Sequence, residues 1–340
     1  MGKITASMSK KGIFFTFIAI TIMAVFILIY KPPADISLSK DTQSIRTRII
    51  SVDGYVDDLE NRYFETMLRA ATYKTILSLI FYINETGSYI TDNLNSTFYE
   101  VVTNGSILDS TGEHVPIDTL TNKQIMEDNT LSYWSNTIIE SAKDTLDVDT
   151  EINITNVTVF QTKPWNIDSE MTLNFTVKSN VAEWKKRNIT ISTTISIEGL
   201  HDPYYLKNTI GEYGNIINKS NVASNQWNIE KFTEHLTYGT YVHWQDSTAP
   251  DFLMRLTGDM TSSSPCCGIE SLVNPAKLDT PDQTESYIDY LFWDSTNNIP
   301  CEELYTISGI NSNFKLDREH VTMYRLDRLT GDANPISCGP

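Results

Sequence analysis

The side chains best suited to chemistry in this sequence are four cysteines, Cys266, Cys267, Cys301 and Cys338, all near the C-terminal end. An even count in a turn-rich stretch outside the cytoplasm has the character of a disulfide framework. Loops of about 35 residues closed in this way restrict the unfolded chain. Bridging two neighbours strains the backbone, so Cys266 and Cys267 are expected to reach Cys301 and Cys338 in one of two pairings. Zinc fits poorly, because the spacing holds no C-x2-C knuckle and no histidine lies close to a cysteine. Asp147, Asp149 and Glu151 alternate like calcium ligands, yet Ile152 stands where glycine is needed and Thr158 where a bidentate Glu belongs.

Enzymatic signatures are missing: there is no G-x-S-x-G elbow, no H-E-x-x-H, no phosphate-cradling loop and no dinucleotide fingerprint. His114, His201, His235, His243 and His320 are scattered along the chain, and each reads as a surface or core side chain rather than a base. The expectation is therefore no catalytic residue, no cofactor and no metal, with an extracellular hydrolase as the weakest reading. Eight Asn-x-Ser/Thr triplets, at Asn84, Asn95, Asn104, Asn153, Asn156, Asn174, Asn188 and Asn218, nominate glycan acceptors on an exported chain.

Such chemistry depends on where the chain sits. Residues 13–30 read IFFTFIAITIMAVFILIY, 18 residues without a charge. As a helix they span roughly 27 Å, close to the hydrocarbon thickness of a bilayer. Lys3, Lys10 and Lys11 precede them with no acidic side chain, which puts the N-terminus in the cytoplasm and the remainder outside. A cleaved secretory signal competes, but the apolar run is long and Pro32-Pro33-Ala34 is a poor cleavage site. The expected partner is the lipid bilayer. Nucleic acid is excluded by a net charge of -17, from 43 acidic and 26 basic residues without a basic stripe.

After Pro33, apolar residues recur in steps of three and four at Leu38, Ile45, Ile49, Val52, Val56, Leu59, Tyr63, Met67, Ala70, Leu77 and Ile80. That spacing predicts a long amphipathic helix ending at Gly87. Its stripe is either a core face or, as a stem, a contact for other pilin-like subunits or surface proteins. Ile90, Leu94, Phe98 and Val101, and then Leu131, Trp134, Ile138, Ala142 and Leu146, predict two more helices, with a turn at residues 109–112 between them. From Glu151 the period becomes two. Residues 152–154, 171–177 and 189–197 predict three antiparallel strands burying one face. From His201 onward, turns and aromatic clusters give no periodic signal. The expected fold class is α+β: a leader (1–12), a transmembrane helix (13–30), a long helical stem region (31–150) and an extracellular β-rich head (151–340).

Lys10-Lys11-Gly12 followed by Ile13 and the apolar run resembles the leader of type IV pilins and archaeal pilin-like proteins, which are cut between the residues corresponding to Gly12 and Ile13. Pilins carry Glu at the fifth position after the cut, where this chain has Phe17. Residues 197–203 (IEGLHDP), 249–256 (APDFLMRL), 268–274 (GIESLVN) and 288–290 (IDY) resemble blocks of a family of archaeal cell-surface proteins with pilin-like N-termini. The resemblance implies surface display and brings no functional residue with it. The expected function is thus a membrane-anchored cell-surface protein, a pilin-like or minor pilus subunit, with a binding or adhesion module that stays out of filaments as the alternative.

Overall fold

The computed structural model describes residues 39–109, 112–245, 248–263, 266–278, 285–296, 298–326 and 331–337. The expected cleavage site at Gly12 and Ile13, the apolar run 13–30 and Cys338 lie outside the described residues.

Helix α1 (Ser39–Asp58) runs through a π-helical turn (Leu59–Tyr63) into α2 (Phe64–Thr86). The π turn inserts one residue into the repeat. The buried stripe therefore passes from Val52, Val56 and Leu59 to Phe64, Leu68 and Ala71, and Tyr63 is left 42% exposed. Gly87 closes α2 with φ 63°, its N–H bonded to Ile83 O at 2.9 Å.

These facts correct the expected arrangement of transmembrane helix, stem and separate head. No helix among the described residues is long and apolar enough to cross a membrane. The would-be stem is a core element: Phe64 meets Phe175 of the sheet edge-on at 5.2 Å between ring centres. Ile45, Ile49 and Ile50 of α1 remain exposed, as do Tyr63 and Tyr73 further along. The physical reason is that the face of α2 is apolar enough to be covered by the sheet, and burial of that area stabilises the packed arrangement.

Helix α3 (Leu94–Asn104) is capped by Asn93, whose Oδ1 accepts from Ser96 N, and stopped by Gly105. The hairpin β1 (Ser106–Leu108) and β2 (His114–Pro116) brackets the expected turn. Helices α4 (Ile117–Thr121) and α5 (Leu131–Leu146) follow. A meander of long antiparallel strands, β3 (Asp149–Lys163), β4 (Asn166–Lys178) and β5 (Glu183–Ser196), comes next in the order β3-β4-β5. On β4, Ile167, Met171, Leu173, Phe175 and Val177 are buried, and Thr172, Asn174 and Thr176 are partly exposed. One face is core, as the alternation requires.

The C-terminal portion consists of short pieces: α6 (Pro203–Asn208), α7 (Ile229–Tyr238), α8 (Phe252–Thr257), α9 (Asp289–Trp293), β6 (Leu304–Ile307), β7 (Lys315–Asp317), α10 (Arg318–Met323) and β8 (Ala333–Pro335). The last three strands form a sheet of order β7-β6-β8. One hydrophobic cluster runs through the described residues from Val52 to Ala333.

Candidate functional site

Short elements leave many backbone groups at their ends, and acidic caps fill that need. Asp202 caps α6, accepting from Tyr204 N at 2.9 Å, and Asp317 caps α10, accepting from His320 N at 3.1 Å. Both carboxylates also enter ionic clusters inside the protein.

In the first cluster, fully buried Arg255 of α8 donates to Asp202 Oδ2 at 2.6 Å and to Asp289 Oδ2 at 2.9 Å. Its second terminal nitrogen donates to the Ile269 carbonyl. Tyr241 OH donates to Asp202 at 2.7 Å, and Ser271 gives both its N–H and its hydroxyl to Asp289. The guanidinium lies 4.7 Å from the Tyr204 ring centre. Two carboxylates around one cation leave excess negative charge in a dry site. Burial outweighs the attraction of Arg255 and raises Asp289 to about 6.

The second cluster centres on His320. Its Nδ1 donates to Asp317 at 2.8 Å and its Nε2 to Glu270 at 3.2 Å. Burial opposes the imidazolium, but the two carboxylates prevail and raise His320 well above the ordinary value. Burial likewise pushes Asp317 up, and the His320 charge overcomes it, leaving Asp317 at about 2. Burial also opposes the Glu270 carboxylate, but the same cation together with Trp244 and Tyr324 holds it below the usual range. With both ring N–H groups committed, His320 has no lone pair for base catalysis. Tyr324 OH donates to Glu270 at 3.0 Å and lies 3.2 Å from His235 Nε2, which assigns that nitrogen as the protonated one. Burial lowers His235 to about 4, so it is neutral.

The clusters meet at adjacent residues, Glu270 and Ser271. From Glu270 the second cluster reaches a cleft of about 230 Å³, through the indole of Trp244, which donates to Glu270 at 2.9 Å. Trp165, Trp227, Trp244, Lys219, Ser220 and His243 are among its lining residues. Trp227 stands edge-on to Tyr324 at 4.8 Å, and the Lys219 ammonium lies 5.5 Å from the Trp165 ring centre. His243 donates from Nδ1 to Gly268 O at 2.7 Å, leaving Nε2 as an acceptor. The cleft therefore offers indole rings for apolar faces and an ammonium, a hydroxyl and an imidazole for polar edges.

Of the residues nominated by sequence, Cys266 and Cys267 are bonded to each other, which corrects the expected pairings. Cys267 takes φ 86°, and the glycine that follows it lets the chain turn against the Ala249 carbonyl. Cys301 is disulfide-bonded as well. Asp149 pairs with Lys143 at 2.6 Å, and no set of three His, Cys, Asp or Glu among the described residues is placed to hold a metal. Asn104, Asn153, Asn156, Asn188 and Asn218 are exposed, while Asn84 and Asn174 are partly buried. Asn95 is exposed and accepts from Val159 N at 2.9 Å, and Asn174 accepts from Asn188 N at 2.9 Å. His243 and His320 belong to the site, although sequence read them as bystanders. An arginine inside the apolar run Phe252-Leu253-Met254-Arg255-Leu256 was the available signal, since a cation there demands buried acids.

Comparison with family models, with curated proteins and with solved structures found no match to this chain.

Proposed function

We propose that this chain is a membrane-attached cell-surface binding protein, and that its exported part takes a single pyranose-sized ring in the Trp165, Trp227 and Trp244 cleft. The observation that carries the reading is Trp244, whose indole is anchored by the buried Glu270 while it lines an open cleft beside Lys219 and His243. A sugar ring presents C–H faces that lie against indole and hydroxyls that bond to Ser220, His243 and Lys219. The cleft is smaller than the roughly 300–1,000 Å³ of drug-sized sites, which favours one ring over a chain. A pilus subunit is less well supported, because from Val52 onward most of the helical face that would meet its neighbours is buried within this chain, with Phe64 against Phe175 of the sheet.

Tryptophan fluorescence of the full-length chain, titrated with a panel of methyl pyranosides and N-acetylated pyranosides, tests the cleft. Saturable quenching by one member, lost in Trp165→Ala, is the expected result; no saturable change with any member removes the sugar reading. Resistance of the chain to carbonate extraction from membranes tests the anchor, and release into the supernatant overturns it.

A further inference from the structure

The meander ends at β5, and no strand among the described residues pairs with its other side. Proteins normally guard such edges with charge, bulges or short length. The first half of β5 is guarded by Lys185, Lys186 and Arg187 and by a register shift opposite residues 173–175. The second half is not. Residues 189–196 read ITISTTIS, β-branched and serine residues with no charge, proline or glycine. Beside them opens a groove of about 560 Å³ that reaches from Ser192, Thr193 and Thr194 and from Glu65 and Arg69 of α2 across to Phe160, Thr162 and Asp168 of β3 and β4. The Thr193 hydroxyl is buried at this edge without a hydrogen-bond partner. Glu65 and Arg69 are both exposed, one helical turn apart.

We infer that this edge is an interface with a second copy of the chain, its β5 paired antiparallel about a two-fold axis through Ser192. That axis sets Ile189 opposite the second copy's Ile195 and Ile191 opposite its Thr193. Parity is preserved, so buried faces meet buried faces and the two sheets join into one of six strands. The same axis carries Glu65 toward the other copy's Arg69, and Arg69 toward its Glu65. A pair of opposite charges one turn apart is self-complementary under a two-fold, and an unrelated strand has no reason to match it. The uncharged register 189–196 is where such pairing meets no like-charge opposition, and the guarded half bounds it.

The test uses the full-length chain in detergent. Ser192→Cys places a thiol beside its own copy, within the roughly 4.5–5.5 Å separation of facing residues, so mild oxidation yields a covalent dimer. Sedimentation of the unmodified chain gives a concentration-dependent dimer. Glu65→Arg or Arg69→Glu alone weakens it by roughly tenfold, and the double exchange restores it. Ser192→Lys, on the exposed face, abolishes dimerisation while the circular dichroism spectrum stays unchanged. A monomer at all concentrations with no Ser192→Cys crosslink overturns the inference, as does a dimer indifferent to both the charge series and Ser192→Lys.

Discussion

The indole Nε1 of Trp244 donates to the Glu270 carboxylate at 2.9 Å, so one wall of an open cleft is fixed by an acid that has no contact with solvent. The other Glu270 oxygen receives His320, so the one acid joins the cleft wall to the second cluster. Glu270→Gln keeps the shape and removes the charge, leaving the His320 cation with Asp317 alone. Breaking one arm of a buried ion cluster is expected to cost about 3–5 kcal/mol. Urea unfolding monitored by circular dichroism measures the loss. The same variant shifts tryptophan emission, because Trp244 loses a charged acceptor.

The pH dependence of stability follows from four signs. Asp317, lowered to about 2, takes up its proton more readily in the unfolded chain, so its contribution is present above about pH 4 and is lost as pH falls towards 2. Asp289, raised to about 6, holds its proton longer when folded, so stability falls as pH rises from about 4 to 6. His320, raised when folded, contributes fully below its unfolded value of about 6.5 and loses that contribution as pH rises towards its folded value. His235, lowered to about 4, stays neutral when folded, so its contribution is present above its unfolded value of about 6.5 and is lost as pH falls towards 4. Over about pH 4–6 this offsets the Asp289 trend, so the urea midpoint is expected to be nearly level there, to fall below about pH 4 and to decline above about pH 6.5 as His320 loses its contribution. Asp289→Asn uncovers a rise from about pH 4 to 6, and His320→Gln removes the decline above it. A wild-type midpoint that rises from about pH 6.5 to pH 8 contradicts the assignment.

Arg255 is held between Asp202 and Asp289 with every one of these side chains fully buried. Arg255→Met leaves two acids facing each other in a dry site and is expected to prevent folding or to cost several kcal/mol. Adding Asp202→Asn and Asp289→Asn to it removes the orphaned charges and recovers much of the loss, although the Asp202 cap is weakened. The measurement is soluble yield together with the thermal midpoint of each variant. Equal damage in the single and triple variants would mean that shape, not charge, is what Arg255 supplies.

How much of this was legible in the residues depends on range. The alternation of Met171, Leu173, Phe175 and Val177 and the helix-stopping Gly87 and Gly105 are local signals, and the strands and caps lie where those signals put them. The step from Leu59 to Phe64 is not local. A stripe drawn at steps of three and four passes through Tyr63, and only packing of α2 on the sheet selects the extra residue that turns Tyr63 outward. The ionic clusters were illegible for a related reason. Asp202, Arg255, Glu270, Asp289 and His320 come from five separate segments, and no spacing rule links residues that only the folded chain brings together. The bond between Cys266 and Cys267 runs against the expectation from backbone strain, and that strain shows at Cys267, whose φ of 86° is uncommon for a residue with a Cβ.

Gly268 offers the sharpest test of that last region. It follows the bridged cysteines, precedes Ile269 and Glu270, and gives its carbonyl to His243 of the cleft. A methyl group at position 268 would run into the backbone carbonyl of Ala249, which is itself bonded to Ser263 and has little room to retreat. Gly268→Ala therefore has to push residues 266–270 away from Ala249, and overpacking of this kind costs about 1–3 kcal/mol. Because the displaced carbonyl holds His243 and the displaced chain carries Glu270, sugar-induced quenching should weaken along with the urea midpoint. A variant of ordinary stability that still loses quenching would place the effect in the cleft alone. Unchanged stability and unchanged quenching would show that the close approach at Ala249 is not maintained in solution.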